Sequence, residues 1–322
     1  MLIDAAWFLL GLTALVFGAE IMVRGGAEVA ARLGISPIVI GLTVVSIGTS
    51  LPELAVGVVA VQDGSAALAV GNIAGTNVVN LLLILGLSAL LVPLAIQMRT
   101  LRFELPVIAG AALLMFALAL DGTLSQVDGI ILVTGAVVYT VVLIRMTRRE
   151  SRDVLVEYDE TYAEENIGSR STRWYVLMMV AGIVVVVIGA DWLVDGAVGI
   201  ARGFGVSDAL IGLTVVAIGT SAPELVTTVV STVRGDRDIA VGNLLGSSIY
   251  NILLILGVTT VVSPLPLPIG HGLAFIDIPV MTAVTLLCLP VFLIRLRISR
   301  FEGGLFVLLY LAYLTYLISA RT

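Results

Sequence analysis

The chain has 322 residues, of which 59% are hydrophobic and 12% charged, with a mean hydropathy of +1.13. Those proportions exclude a soluble globular domain and point to a polytopic α-helical membrane protein; the long, non-alternating apolar runs exclude a transmembrane β-barrel. The net charge of −6 says little about partners until the charges are sorted by membrane side, and one cysteine, Cys288, inside an apolar run excludes disulfides and thiolate metal clusters.

Apolar segments of the ~20 residues that cross the hydrocarbon of a bilayer recur along the chain. They predict spans at 4–30, 37–61, 66–92, 103–121, 127–146, 174–198, 208–233, 238–263, 274–296 and 302–320. The first span has no basic residue before it, so it reads as a mature helix rather than a cleaved leader. It carries Glu20 one turn before Arg24, a spacing that suits an interfacial ion pair. The second span holds Gly48-Thr49-Ser50-Leu51-Pro52-Glu53 and the third Gly71-Asn72-Ile73-Ala74-Gly75-Thr76-Asn77-Val78-Val79-Asn80. After the fifth span comes the one long polar stretch, 147–173, rich in Glu and Arg, which reads as a solvated linker.

Beyond that linker the first half is repeated. At an offset of 171 residues, 41–86 aligns without a gap on 212–257, and 26 of the 46 pairs are identical. Five spans separate the copies, an odd number, so they cross the membrane in opposite senses. The expected fold is an all-α integral membrane protein of ten transmembrane helices, built as two inverted five-helix repeats (1–146 and 174–322) joined by the acidic linker. Every one of the 17 basic residues is arginine, and with both termini outside only Arg202 and Arg321 fall on the outer face. The positive-inside rule therefore puts the termini outside and 147–173 in the cytoplasm, in a multi-pass cell membrane protein.

The repeated motifs carry the chemistry. Glu53 and Glu224 each place a carboxylate near the bilayer midplane, at a cost of about 2.5–3.5 kcal/mol on an insertion scale. Pro52 and Pro223 lack an N–H, which frees the carbonyls of Gly48 and Gly219, and freed carbonyls at membrane depth need protein, water or an ion. Thr49 and Ser50 precede Glu53 by four and three residues and share its face; Thr220 and Ser221 stand in the same relation to Glu224. Thr76 with Asn80, and Ser247 with Asn251, add neutral oxygens one turn apart. Two carboxylates plus carbonyls make a set of about six hard oxygens, which suits Ca²⁺; no sulfur or imidazole is at hand to favour zinc or copper.

The double motif, Gly-Thr-Ser-x-Pro-Glu followed by Gly-Asn-x-x-Gly-[Ser/Thr]-x-x-x-Asn, resembles the α-repeats of the cation/calcium exchanger superfamily, most closely its bacterial and archaeal sodium/calcium exchangers. The resemblance implies a core of helices 2, 3, 7 and 8 around the ion sites, with helices 1 and 6 sliding against it. It implies that Glu53 and Glu224 are shared Ca²⁺ and Na⁺ carboxylates and that the carbonyls of Thr49 and Thr220 bind Ca²⁺. Ser50, Ser221, Thr76, Ser247, Asn80 and Asn251, with the carbonyls of Ser46 and Ala217, would complete the Na⁺ sites. Some archaeal relatives and the potassium-dependent branch have aspartate where this chain has Asn251, which argues against potassium dependence. The function implied is Na⁺/Ca²⁺ antiport, with Ca²⁺, Na⁺ and membrane lipid as partners. No catalytic residues, cofactor, nucleic acid or protein partner is implied. The rival reading is proton-coupled antiport of Ca²⁺ or another divalent cation; that branch typically carries Glu-His pairs, and no His follows Glu53 or Glu224.

Overall fold

The computed structural model describes residues 2–95, 102–162, 171–205 and 217–321. The predicted start of the seventh helix, with Asp208, lies outside them, as do Arg99 and the last part of the predicted linker. Because hydrocarbon offers no partner for a backbone N–H or C=O, apolar segments satisfy those groups within helices, and the described chain is almost entirely helical. The helices are α1 (Leu2–Leu33), α2 (Pro37–Gln62), α3 (Ala66–Leu91), α4 (Glu104–Asp121), α5 (Gln126–Tyr162) and α6 (Thr172–Gly203). After them come α7 (Ala217–Thr220 and Ala222–Arg234), α8 (Arg237–Val262), α9 (Leu273–Phe292) and α10 (Arg300–Arg321). The protein is an all-helical membrane protein in which, among the described residues, nine of these are long and apolar enough to span a bilayer; α7 is described only from Ala217.

Two features were not expected from the sequence. Helix α5 continues to Tyr162, through sixteen residues expected to belong to the polar linker, since no Pro or Gly stands there to end it. Four two-residue strands also occur. Leu94–Ala95 (β1) pairs with Arg297–Ile298 (β4), and Thr123–Leu124 (β2) with Leu267–Pro268 (β3), both antiparallel. Each ribbon joins the connection after α3 or α4 of one half to the connection after α9 or α8 of the other.

The turns repeat as the sequence does. Gly34 (φ 61°) and Gly205 (φ 77°) close α1 and α6, and Gly64 (φ 72°) and Gly235 (φ 90°) close α2 and α7. Only glycine enters that left-handed region without steric cost, and both pairs are 171 residues apart.

Packing divides the molecule into two apolar bodies. One centres on the α1–α6 pair, with Leu15, Ala19, Met22, Met179, Ile183 and Val186 buried. The other gathers α2 to α5 with α8 to α10. Helices α1 and α6 run antiparallel in close contact. Built on Gly11, Gly18 or Gly25, a side chain would strike the α6 backbone near Gly189, Gly182 and Tyr175 respectively; Gly182, Gly189 and Gly196 meet α1 in return. These glycines recur every seven residues in both helices, so the small faces stay in register along the whole seam. The second body is built around α3 and α8, the most enclosed spans.

Candidate ion site

The site forms where two helices fail in the same way. Helix α2 breaks at Ser50 (φ −87°, ψ 8°) and α7 at Ser221 (φ −87°, ψ 6°), each between helical segments. Proline in the first turn of the following segment explains the break: Pro52 and Pro223 have no N–H to give to the preceding turn. Glu53 and Glu224 then fall in the first turn of the new segment, where the helix dipole favours a negative charge. Helices α3 and α8 contribute π-helical turns, Val79–Ile84 and Asn251–Leu256, which contain Asn80 and Asn251. Such turns shift the backbone register and release carbonyls, and they recur at functional positions.

These elements bring most of the expected site residues together in a closed interior. Glu53, Glu224, Ser46, Thr49, Ser50, Asn80, Ser247 and Asn251 are each 0% exposed, with Ser221 at 1%, Thr76 at 2% and Thr220 at 8%. The Ser50 hydroxyl donates to Glu224 Oε1 across the halves at 3.2 Å, and the hydroxyls of Thr49 and Ser247 also face that carboxylate. Thr49 Oγ1 lies 3.3 Å from Ser247 Oγ and 3.2 Å from Asn243 Oδ1. No arginine pairs with either glutamate among the described residues. Ala217 is the first described residue of α7.

Several of these buried groups have no hydrogen-bond partner among the described residues. Both carboxylate oxygens of Glu53, Oε2 of Glu224, both amide atoms of Asn80 and Asn251, and the hydroxyls of Thr76 and Ser221 make no hydrogen bond. A buried polar group left so costs about 1–3 kcal/mol, more for a charge. The unused atoms are hard oxygens apart from the two amide nitrogens, the donor set of Na⁺ or Ca²⁺.

Sequence reasoning gave Asn243 no role in the site, although it belongs to the Gly-Asn pair repeated at 71–72 and 242–243. Asn243 ties the halves together. Its carbonyl accepts from Ser46 Oγ at 3.0 Å, its Oδ1 accepts from Thr49, and its Nδ2 donates to Thr228 Oγ1 at 3.2 Å. Ser46 Oγ is also 2.6 Å from the carbonyl of Gly41, in the π-helical turn Gly41–Val45. The Ser46 hydroxyl thus serves as a clasp between α2 and α8.

At the arginine-rich end, Glu20 pairs with Arg24 at 2.6 Å, as its spacing suggested, and also with Arg234 of α7. Arg234 lies 3.8 Å from Asp236, whose carboxyl burial holds above the usual range, with Arg234 opposing and Glu20 reinforcing the shift. Asp277, near the start of α9, is 4% exposed and accepts from the Tyr313 hydroxyl at 3.1 Å. The helix start is drawn inward there by a π-helical turn, Leu273–Asp277. His271 rests on Phe275, ring centroids 4.6 Å apart.

The whole chain is similar to known ion exchangers. It is 37% identical to the antiporter CaxA of Alkalimonas amylolytica over 97% of its length and 98% of that protein's. It is 32% identical to the sodium/calcium exchanger MaX1 of Methanosarcina acetivorans, over 96% and 97%. It also superposes on the sodium-calcium exchanger NCX_Mj, solved after soaking with Na⁺ and Ca²⁺, with a TM-score of 0.83 and 28% identity over 100% of this chain and 99% of that one. The family and fold are those of transporters rather than catalysts. The model of the sodium/calcium exchanger protein family matches residues 3–145 and 174–319, and the chain belongs to that family.

Proposed function

We propose that the protein exchanges Na⁺ for Ca²⁺ across a prokaryotic inner membrane by alternating access. Ten spans form two inverted five-helix repeats (1–146 and 174–322), joined by a cytoplasmic segment at 147–173, with both termini outside. The two ions compete for one site between α2, α3, α7 and α8, in which Glu53 and Glu224 supply the charge. Thr49, Thr220, Ser50, Ser221, Thr76, Ser247, Asn80, Asn251, Ser46 and Ala217 supply neutral oxygens. The observation that carries this reading is the twin break at Ser50 and Ser221, each followed by a fully buried glutamate without an ionic partner. The twinned turns, the exchanged strand pairing and the antiparallel α1–α6 seam support the inverted repeat.

Two negative charges in a dry interior resist reorientation when unbalanced, whereas one Ca²⁺ or several Na⁺ neutralises them, which couples movement to loading. The α1–α6 pair is the natural moving part. It has its own apolar core, and a cavity of about 310 Å³ lined by Leu12, Leu193, Ala197, Ile218, Ala222 and Leu225 lies between it and α7. If three Na⁺ move per Ca²⁺, each cycle carries one net charge, about 2.3 kcal/mol per 100 mV.

The test is ⁴⁵Ca²⁺ uptake into proteoliposomes loaded with Na⁺, with K⁺ and pH gradients as controls. Uptake driven by the outward Na⁺ gradient alone is expected. Uptake driven only by a pH gradient would replace this reading with proton-coupled divalent antiport, which two facing carboxylates also suit.

A further inference from the structure

The two halves match closely in the glutamate motif and then part company. Below Glu53 the enclosed face of α2 carries Val56, Gly57, Ala60 and Val61; below Glu224 the corresponding face of α7 carries Thr227, Thr228, Ser231 and Thr232. Four hydroxyls thus stand where the other half has three apolar side chains and a glycine, and all four are buried, at 0 to 2% exposure. They line the half of α7 that ends at Arg234, on the arginine-rich side. Helix α3 approaches the same stretch of α7 with its last turns, which include Ser88, 0% exposed.

Hydroxyls inside a membrane helix normally satisfy themselves by donating to the carbonyl four residues back. Several others in this chain do so: Thr43 to Val39, Thr134 to Ile130, Thr260 to Leu256 and Thr285 to Met281, at 2.6 to 2.8 Å, whereas Ser248 and Thr259 of α8 do not. Thr227, Ser231 and Thr232 do not, nor does Ser88; each hydroxyl is buried without a partner among the described residues. Thr228 meets only Asn243 of the ion site, as an acceptor at 3.2 Å. A packing role gives no reason to hold hydroxyls in that state, since the apolar counterparts in α2 fill the same face.

Building on the exchange reading, we infer that this stripe is the arginine-side limb of the ion path and that its hydroxyls replace lost water around Na⁺ between Glu224 and that face. The stripe suits Na⁺ rather than Ca²⁺. It offers neutral oxygens and no carboxylate beyond Glu224, and a divalent ion gives up its water only to a more charged shell. The other limb, whose α2 face is apolar, offers fewer stations, among them the buried hydroxyl of Thr259 beside Gly57, so the two exits of a duplicated protein treat the monovalent ion differently.

The test compares wild type with the variant T227V/S231A/T232V in membrane vesicles of known sidedness. The Na⁺ half-saturation measured at the arginine-rich face should rise about tenfold, the loss of roughly one well-made ligand. Ca²⁺ half-saturation should hold within about twofold, and thermal stability should hold or rise because unpartnered hydroxyls are gone. An unchanged Na⁺ response, an equal shift for both ions, or a loss of stability would overturn the inference. Should the variant fail to accumulate, Ser231→Cys in a Cys288→Ser background serves instead. A small cationic thiosulfonate added at the arginine-rich face should label it, with Na⁺ protecting; no labelling, or labelling indifferent to Na⁺, would overturn the inference. Absence of Na⁺-driven Ca²⁺ movement in wild type would instead defeat the exchange reading itself.

Discussion

The α1–α6 seam and the four-helix centre solve opposite problems with the same backbone. Along the seam every group is content: small faces meet, main chains touch, and Leu15, Met22 and Val186 fill the space between. In the centre, carboxylates, amides and hydroxyls are buried without partners. The contrast teaches where each kind of energy is kept. The seam holds two helices as one unit, while the centre leaves oxygens unpartnered which, on the proposed reading, a cation coordinates and neutralises.

The comparison is most exposed to breakage at the glutamates. Glu53→Gln or Glu224→Gln should lower Na⁺-driven ⁴⁵Ca²⁺ uptake by about a hundredfold or more, because half the charge that balances the divalent ion disappears. Thermal unfolding in ion-free detergent should shift upward for the same variants, since a costly unpaired acid has gone. A variant that transports normally would remove the centre's claim to be a cation site.

The seam should break differently. Gly182→Leu places a side chain against the α1 backbone at Met22 and Gly18. Overpacking of this kind costs about 1–3 kcal/mol, so both stability and transport should fall together, in contrast to the glutamate variants. Equal stability of Gly182→Leu and wild type in a thermal melt would show that the seam is looser than its geometry.

Smaller effects sharpen the picture. Asn80→Leu removes an amide that has no protein partner; Na⁺ affinity, read from Na⁺ competition against ⁴⁵Ca²⁺ uptake, should drop several-fold, on the order of 1 kcal/mol, while the fold persists. Last comes Glu20→Gln, which cuts the tie between α1 and Arg234 of α7. A partly exposed ion pair is worth about 1 kcal/mol or less. The change should therefore appear as a modest, salt-sensitive shift in transport rate, and a loss as large as that of Glu53→Gln would make Glu20 part of the centre instead.

What the sequence reveals follows from how local each feature is. Spans are legible because membrane depth demands unbroken apolar helix, and the Gly-Thr-Ser-x-Pro-Glu motif is legible because it combines a helix breaker with an acid where neither is cheap. The π-helical turns at Asn80 and Asn251 carry no such mark, since Val-Asn-Leu-Leu-Leu-Ile continues an α-helix equally well and the shift is chosen by packing. Asn243 as a bridge depends on a partner 194 residues away, Thr49, which no spacing rule reaches. The seam was in plain view: glycines at 11, 18, 25, 182, 189 and 196 keep a seven-residue period, and an antiparallel register is what turns that period into contact. The end of the fifth span at 146 is legible from hydropathy, but the helix itself runs on to Tyr162 because Glu- and Arg-rich stretches are good helix formers.

The two small ribbons have a consequence for how such a molecule came to exist. Each half gives one strand to a ribbon at one end and one strand to a ribbon at the other, each paired with a strand of the other half. Two separate copies of a single five-helix ancestor, threaded in opposite directions, could form the same pair of ribbons and leave no strand free for a third. That is isologous closure: a two-fold dimer complete at two members. On this view the connecting segment was added to a partnership already made, and cutting it between 147 and 173 should leave two fragments that find each other again.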